Sequence, residues 1–450
     1  MKNAIEELSD FLVDTSYDDI SSSLINKAKD AMIDSHAVIL SGYEEEVSNI
    51  LIDWVKDQEG ASQSTILGYG VKSTVSLSAF MHGVMGHAID YDDVFPPLRG
   101  HPSLLVYASI ISVAEFEKIS GKEMILSFLL GTEVMAKIGM NLNPSHYLKG
   151  WHSTSTIGVF GSAVAVGKLY GFNKKEFKTL LGLVSSMMSG IRKNFGTMTK
   201  PLHVGNASRS GVEAAQLVRK GFTASHTTFD SPKGIFDLYS DENRESGWEG
   251  TFGKPWSILD PGFHTKKYPC CYAIHRYIDA INDITSNNKI DVNEITKIEC
   301  IGSKGSFAPL INYAPKTGLE GKFSLEYVIS SALIDGPIDF NSFTDEKVIR
   351  KCIKKLMRKI KVIEDNSIEE DRSVGINGFI TVNMYLIDEV IKIKIVDGKG
   401  SAKNPLTKYE LKEKYINCSL KSDLGNKPKK DYKMLKKLQN INDIQEMFVK

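Results

Sequence analysis

From the N-terminus to about residue 225, apolar residues recur at spacings of three and four, the period of an amphipathic helix, and alternating patterns are nearly absent. Ile5, Leu8, Phe11 and Leu12 open one helix; Leu24, Ala28, Met32, Ala37 and Ile39 mark a second that stops near Gly42. Residues 73–89 and 102–119 read as buried helices, because Ala79, Gly83, Gly86 and Ala108 let neighbouring helices approach closely. Ser120 and Glu123 fit a capping box ahead of a helix over 122–140. Further helices are expected over 153–170, 174–189 and 208–220. The pattern predicts a helical bundle.

After Pro261 the period changes. Residues 296–301 read as a strand, and 379–386 and 390–396 alternate apolar with polar residues around Ile387-Asp388-Glu389, a hairpin signal. Between them, 345–363 reads as an amphipathic helix loaded with lysine and arginine. From Leu406 the helical period returns through Leu411, Tyr415, Leu435, Leu438, Ile441 and Ile444, so the tail can rejoin the helical half. The fold class is therefore mainly α with a smaller α+β block.

Composition narrows the function. The 450 residues suffice for two or three folding units. Lys plus Arg and Asp plus Glu number 55 each, so no global field draws in a nucleic acid or an anionic membrane. Residues 391–450 hold 15 lysines against 7 acids, but the lysines fall on all sides of the helices. Tyr409, Tyr415 and Tyr432, ahead of Phe448, are too few for a stacking platform, so a solvated face is expected and no nucleic-acid partner. Apolar stretches such as Leu104 to Ala114, broken at Glu115, stop short of the roughly 18 residues of a membrane span. Glu6, Glu7, Asp10, Asp14, Asp18 and Asp19 leave no basic-then-apolar leader near the start, so a cytoplasmic location is expected. The cysteines 270, 271, 300, 352 and 418 include no C-x-x-C pair, which points to reduced thiols and away from a structural zinc or disulfide framework.

Titratable residues concentrate in five segments. In the first, His87-Ala-Ile-Asp90-Tyr-Asp92-Asp93 is followed by Arg99-Gly-His101-Pro-Ser103. On a helix His87 and Asp90 share a face, so the carboxylate can orient the imidazole for proton transfer; a helix end with solvated acids reads the same way. In the second, His152 precedes the hydroxyl run Ser153 to Thr156, which can cap a small-residue helix or receive an anionic oxygen. In the third, Lys200 and His203 stand three apart, ahead of the helix expected from 208. A lysine near a helix N-terminus is unfavourable unless it meets an anion, so either a carboxylate ligand or a solvated side chain is implied. The fourth, Lys266-Lys267-Tyr268-Pro269-Cys270-Cys271-Tyr272-Ala-Ile-His275, lies between the two blocks, where pockets form. Its vicinal thiols suit packing or one weak acid in a site, not a metal. The fifth, Phe229-Asp230-Ser231-Pro232-Lys233-Gly234, is a turn signature.

Together GHAIDYDD with GHPS, GWHSTSTIG, GTMTKPLHVGNAS, FDSPKGIF and KKYPCCYAIH resemble, in order, the 2-methylcitrate dehydratase (MmgE/PrpD) family, which also contains cis-aconitate decarboxylase and iminodisuccinate epimerase. The resemblance implies a helical domain, residues 1–265 and 398–450, with an α+β lid of residues 266–397 inserted. It also implies a homodimer and a site between the domains that holds no metal or cofactor. Asp90, His101, His152 and Lys200 match residues lining the family's active site, with Cys271 or His275 supplying the lid side and His203 beside Lys200. Val94 stands where several members carry threonine, and Pro96, Pro97 and Arg99 fill the following loop, which changes how a substrate is held.

Substrates of this class carry two or three carboxylates and react at the carbon next to one of them, through an enolate-like anion. Lys200, with Arg99 or Arg209, is expected to clamp carboxylates and stabilise that charge. His101 and Asp90 would exchange the proton while His152 assists. Loss of hydroxide gives a dehydratase, loss of carbon dioxide a decarboxylase, and reprotonation from the other face an epimerase. Two rival readings are a metal-dependent enzyme with His87, Asp90, Asp93 and His101 as ligands, and a binding protein that has kept the fold without turnover.

Overall fold

The computed structural model describes residues 4–230, 232–241, 250–369, 378–422, 424 and 427–448. The first half is helical: α1 (Ala4–Asp14), α2 (Ser22–Ser41), α3 (Glu46–Asp57), then, after the short strands β1 (Ser64–Thr65) and β2 (Lys72–Ser73), α4 (Val75–His87), α5 (Ser103–Glu117) and α6 (Gly121–Leu142). Short α7 (Ser145–Leu148) and α8 (Ser153–Thr156) lead into α9 (Gly158–Leu169), α10 (Lys174–Val184), α11 (Thr199–Arg219) and α12 (Ile235–Tyr239). The expected capping box opens α6: Ser120 Oγ accepts from Glu123 N at 3.3 Å and Glu123 Oε2 accepts from Ser120 N at 2.9 Å.

α5 is apolar all round and runs through the middle, with only Phe116 and Glu117 reaching solvent. Its neighbours pack backbone to backbone through glycines. A Cβ on Gly83 of α4 would stand 2.8 Å from the Gly205 Cα of α11, and one on Gly131 of α6 would stand 2.5 Å from the Gly161 carbonyl of α9. By length and composition α6 is apolar enough to cross a bilayer, a property the apolar-run reading missed, yet its most apolar window is 94% buried within the protein. Its buried Glu133 accepts from Gly253 N and Ser257 N at 3.0 and 2.7 Å.

Several boundaries depart from the sequence pattern: the helix expected over 174–189 ends at Val184 and that over 73–89 stops at His87. The helix expected from 208 starts nine residues earlier, at Thr199; Pro201 is tolerated because the N–H groups of a first turn have no helical partner. The helix expected over 153–170 breaks at Ile157 into α8 and α9.

The second half contains α13 (Tyr272–Asn287), β3 (Lys297–Ser303), α14 (Gly318–Gly321), α15 (Leu325–Asp335), α16 (Asp345–Val348), α17 (Lys351–Met357), β4 (Ile360–Asp365), β5 (Ile380–Tyr385) and β6 (Val390–Ile395). The four strands form one sheet in the order β4-β3-β5-β6. β3 pairs parallel with β4, Ile298 opposite Ile360, and β5 and β6 form the antiparallel hairpin. The helix expected over 345–363 is corrected here: it is divided into α16 and α17 and ends at Met357, and β-branched Ile360, Val362 and Ile363 pair beside β3 instead. Ile298, Cys300, Ile380, Val382 and Met384 bury one face, packed with Ile274, Tyr277, Ile278 and Ile281 of α13.

Buried apolar residues form two clusters. One spans Ile5 to Ile258 and resumes at Leu411; the other spans Tyr268 to Met384 and takes in Phe195. α18 (Lys408–Ser419) and α19 (Lys427–Lys436) return to the first cluster, α18 lying on α2. One lysine of the basic tail is not solvated: Lys414 Nζ meets Asp34 Oδ1 at 2.6 Å, both groups buried. All five cysteines are free thiols.

Removing one partner of a buried ion pair strands the other charge. Lys414→Met is therefore expected to lower unfolding free energy by about 3–5 kcal/mol, read by urea denaturation; an unchanged midpoint would contradict this. Burial also pushes the imidazoles of His36 and His264 down to about 3 and those of His82 and His146 down to about 4. In the unfolded chain such groups take up protons below about pH 6.5, whereas in the fold they stay neutral. The contribution of these four histidines is thus full above about pH 6.5 and declines as pH falls towards 4, outweighing the opposite contribution of one raised carboxyl, that of Asp93; equal or greater stability at pH 5 than at pH 7.5 would refute this assignment.

Candidate active site

α4 ends at His87, and three residues later the chain turns through Asp90 in the left-handed conformation, with φ of +56°. Aspartate tolerates that region better than most residues. The early stop matters, because His87 and Asp90 then do not share a helix face. His87 Nδ1 lies 2.9 Å from both oxygens of Asp92, and Asp90 turns instead towards the first turn of α11. There Lys200 Nζ donates to Asp90 Oδ1 at 2.5 Å and stands 2.9 Å from His87 Nε2. With Nδ1–H pointing at Asp92, Nε2 carries the lone pair that accepts from the ammonium.

A second lysine completes the contact. Lys266 Nζ donates to the Asp90 carbonyl at 2.6 Å and lies 3.2 Å from its Oδ1. His101 follows the loop after Asp92, its backbone N–H donating to Thr154 Oγ1 of α8 at 3.1 Å. His101 Nδ1 is 3.2 Å from Asp92 Oδ2, close but off-line for a hydrogen bond, and Nε2 is 3.9 Å from Asp90 Oδ1. His152, just before α8, sets its Nδ1 3.1 Å from the Nδ1 of His203 on α11, so one of the two rings donates there and the other accepts.

Five of these groups, Asp90, His101, His152, Lys200 and Lys266, face a cavity of about 190 Å³ between the two apolar clusters. Asp90, Arg99, His101, His152 and Lys200 line it from the helical side; Lys266, Cys271, Tyr272, Arg276 and Phe323 line it opposite. Phe195 and Phe323 put ring centroids 5.3 and 5.0 Å from Lys200 Nζ. Val94 also lines the cavity, so an apolar side chain faces it at that position.

Burial sets the charge states. It would raise the Asp90 carboxyl, but Lys200 and then Lys266 hold it well below the usual carboxylate range. The Asp92 carboxyl is held low in the same way by His101 and His87. Burial pushes His87 down to about 3 and, with Lys200 adding to it, holds His152 well below the ordinary imidazole value. Burial pushes the Cys271 thiol up to about 11 and the Asp93 carboxyl up to about 8.

Three of the residues singled out from the sequence stand elsewhere. Arg209 does not line the cavity: nine residues along α11 from Lys200 is about half a turn out of phase, and its Nε donates to Glu213 at 2.7 Å. His275 packs into the second cluster, with Nε2 3.3 Å from the Cys270 carbonyl, so Cys271 is the one of the pair that faces the cavity. His203 lies behind His152. Ser231 of the turn segment lies outside the described residues. Sequence reasoning left Asp92 unassigned, although it stands two residues past Asp90, and likewise Lys266, Tyr272 and Arg276, the first two within a segment already singled out.

Donor atoms of His87, Asp90, Asp92 and His101 lie within 4.8 Å of one another, a spacing that suits a metal ion. Asp93 is not in that set; it accepts from Ser103 N and Oγ. The remaining four do not fit an ion as they stand, because the Lys200 ammonium already occupies the position facing His87 Nε2 and Asp90 Oδ1.

The MmgE/PrpD N-terminal domain matches residues 6–246 and the MmgE/PrpD C-terminal domain matches residues 268–431. Cis-aconitate decarboxylase of Mus musculus is 25% identical over 372 residues, 80% of this chain and 76% of that protein. The human protein of the same name is 25% identical over 353 residues, 76% of this chain and 73% of the relative. That of Aspergillus terreus is 23% identical over 378 residues, 79% and 77% of the two chains. With both domains present in order over most of its length, the chain belongs to the MmgE/PrpD family.

Proposed function

We propose that the protein is a lyase that decarboxylates a small tricarboxylate of the cis-aconitate kind by moving a proton at the carbon next to a carboxylate. The observation that carries this reading is the convergence of Lys200, Asp90, His101 and His152 on one cavity between the two halves. An ammonium has three N–H donors; Asp90 and His87 take two, and the third remains for a substrate carboxylate. Arg99, Lys266 and Arg276 add positive charge around the same space, which suits a ligand with several carboxylates. The similarity to cis-aconitate decarboxylases supports decarboxylation over dehydration or epimerisation.

In such a reaction the bond to the departing carboxylate breaks and its electron pair forms a new double bond. The former double bond takes a proton at the carbon next to a remaining carboxylate. Carbon dioxide leaves, and a five-carbon unsaturated diacid remains. In this reading His101 delivers the proton through Nε2, supported by Asp92 lying beside Nδ1 and not lining the cavity. His152, kept neutral, can donate one hydrogen bond to the enolate-like oxygen, and Lys200 stabilises the charge that develops there.

The test is proton NMR of the protein with cis-aconitate in deuterated water. The expected result is loss of one carbon and gain of one deuterium in the product, with turnover at least about a hundredfold lower in Lys200→Ala. A hydrated six-carbon product would replace decarboxylation with the dehydratase reading, run in reverse, and a Lys200→Ala variant at wild-type rate would remove that lysine from the chemistry. Because an ammonium fills the position a metal would take, prolonged dialysis against a strong chelator is expected to leave the rate unchanged, and activity restored only by added divalent metal would overturn that inference.

A further inference from the structure

Three consecutive carbonyls in the turn bearing Asp90 each accept from a different buried lysine. Lys322 Nζ donates to Ile89 O at 3.0 Å, Lys266 Nζ to Asp90 O at 2.6 Å, and Lys414 Nζ to Tyr91 O at 2.9 Å. All three are at most 5% exposed. They reach the turn from different parts of the chain: Lys322 directly after α14, Lys266 from the segment ahead of α13, and Lys414 from α18. Lys414 also donates to Lys266 O at 2.9 Å and sits 3.9 Å from the Tyr91 ring centroid, tying two of the three contacts together.

Buried ammonium groups are costly, and carbonyls in a turn are ordinarily satisfied by water or backbone N–H groups. Three lysines on three successive carbonyls therefore mark a turn whose placement matters. The turn is also irregular, with Asp90 in the left-handed region. A carbonyl flanking a residue in that conformation fixes the peptide plane, and the peptide planes on either side of Asp90 fix where its carboxylate points.

We propose that Lys322 and Lys414 are positioning residues that lock the Ile89-Asp90-Tyr91 turn and so hold the Asp90 carboxylate against Lys200. The catalytic consequence rests on the reading of Asp90 as part of a proton-transfer site. Lys322 belongs to the second half of the chain and Lys414 to the returning tail, so the turn is set only when both are docked on the helical half.

The test compares full-length Lys322→Met and Lys322→Arg with the wild type by hydrogen–deuterium exchange and steady-state kinetics. Lys322→Met is expected to raise exchange about tenfold or more in peptides covering residues 88–94, with α5, α6 and α9 protected as before. It is expected to lower kcat between about tenfold and a hundredfold with KM within about threefold, because a misplaced catalytic group slows chemistry without removing binding contacts. Lys322→Arg, which keeps a donor for Ile89 O, should recover most of both. Unchanged exchange in residues 88–94, or loss of protection throughout the fold, overturns the positioning role. A wild type that converts no tricarboxylate defeats the proposed activity, while the exchange measurement still decides the fate of the lysine lock.

Discussion

A buried carboxylate and a buried ammonium, Asp90 and Lys200, meet at the centre of this structure, and much of the surrounding architecture follows from keeping them there. Lys200 stands in the first turn of α11, where the helix field repels a cation. Neither group is stable alone at that depth, and desolvation can cancel what a pair gains. The pair is embedded in further contacts: His87 accepts from the ammonium, Lys266 supports the carboxylate, and Asp92 bonds His87 and lies beside His101. The outcome is a buried charged cluster at the edge of a cavity that Arg99 and Arg276 also line.

Most of the fold was legible because helix and hairpin periods are local properties. The capping box at Ser120, the α2 stop near Gly42 and the β5–β6 hairpin all follow from residues within a few positions of one another. What was not legible depended on partners distant in the chain. Residues 360–363 look helical beside their lysines and become strand only because β3 offers an edge. The start of α11 was hidden by Pro201, which reads as a breaker unless one knows it occupies a first turn. That one shift placed Arg209 at a helix start in the sequence reading and on the far face in the structure.

The same division holds at the site. Asp90, His101, His152 and Lys200 stand out as polar residues among apolar and small ones, so a reading of residue types finds them. Their pairing is another matter. His87 takes Asp92 as its partner because the helix stops at His87, and no spacing rule anticipates that stop. Lys322 and Lys414 carry no sequence signal at all: each is one lysine among many in a lysine-rich half, distinguished only by burial against a carbonyl more than two hundred residues away.

The returning tail has a consequence for how the molecule comes into being. Lys414 of α18 touches the turn formed by Tyr91, so that contact closes a loop of more than three hundred residues. During synthesis the helical half is finished and can begin to collapse long before residue 414 leaves the ribosome. Until it does, Asp34 has no counter-ion and the Asp90 turn lacks one of its three ties. A growing chain therefore lacks part of the framework around Asp90, which is complete only once the tail has docked.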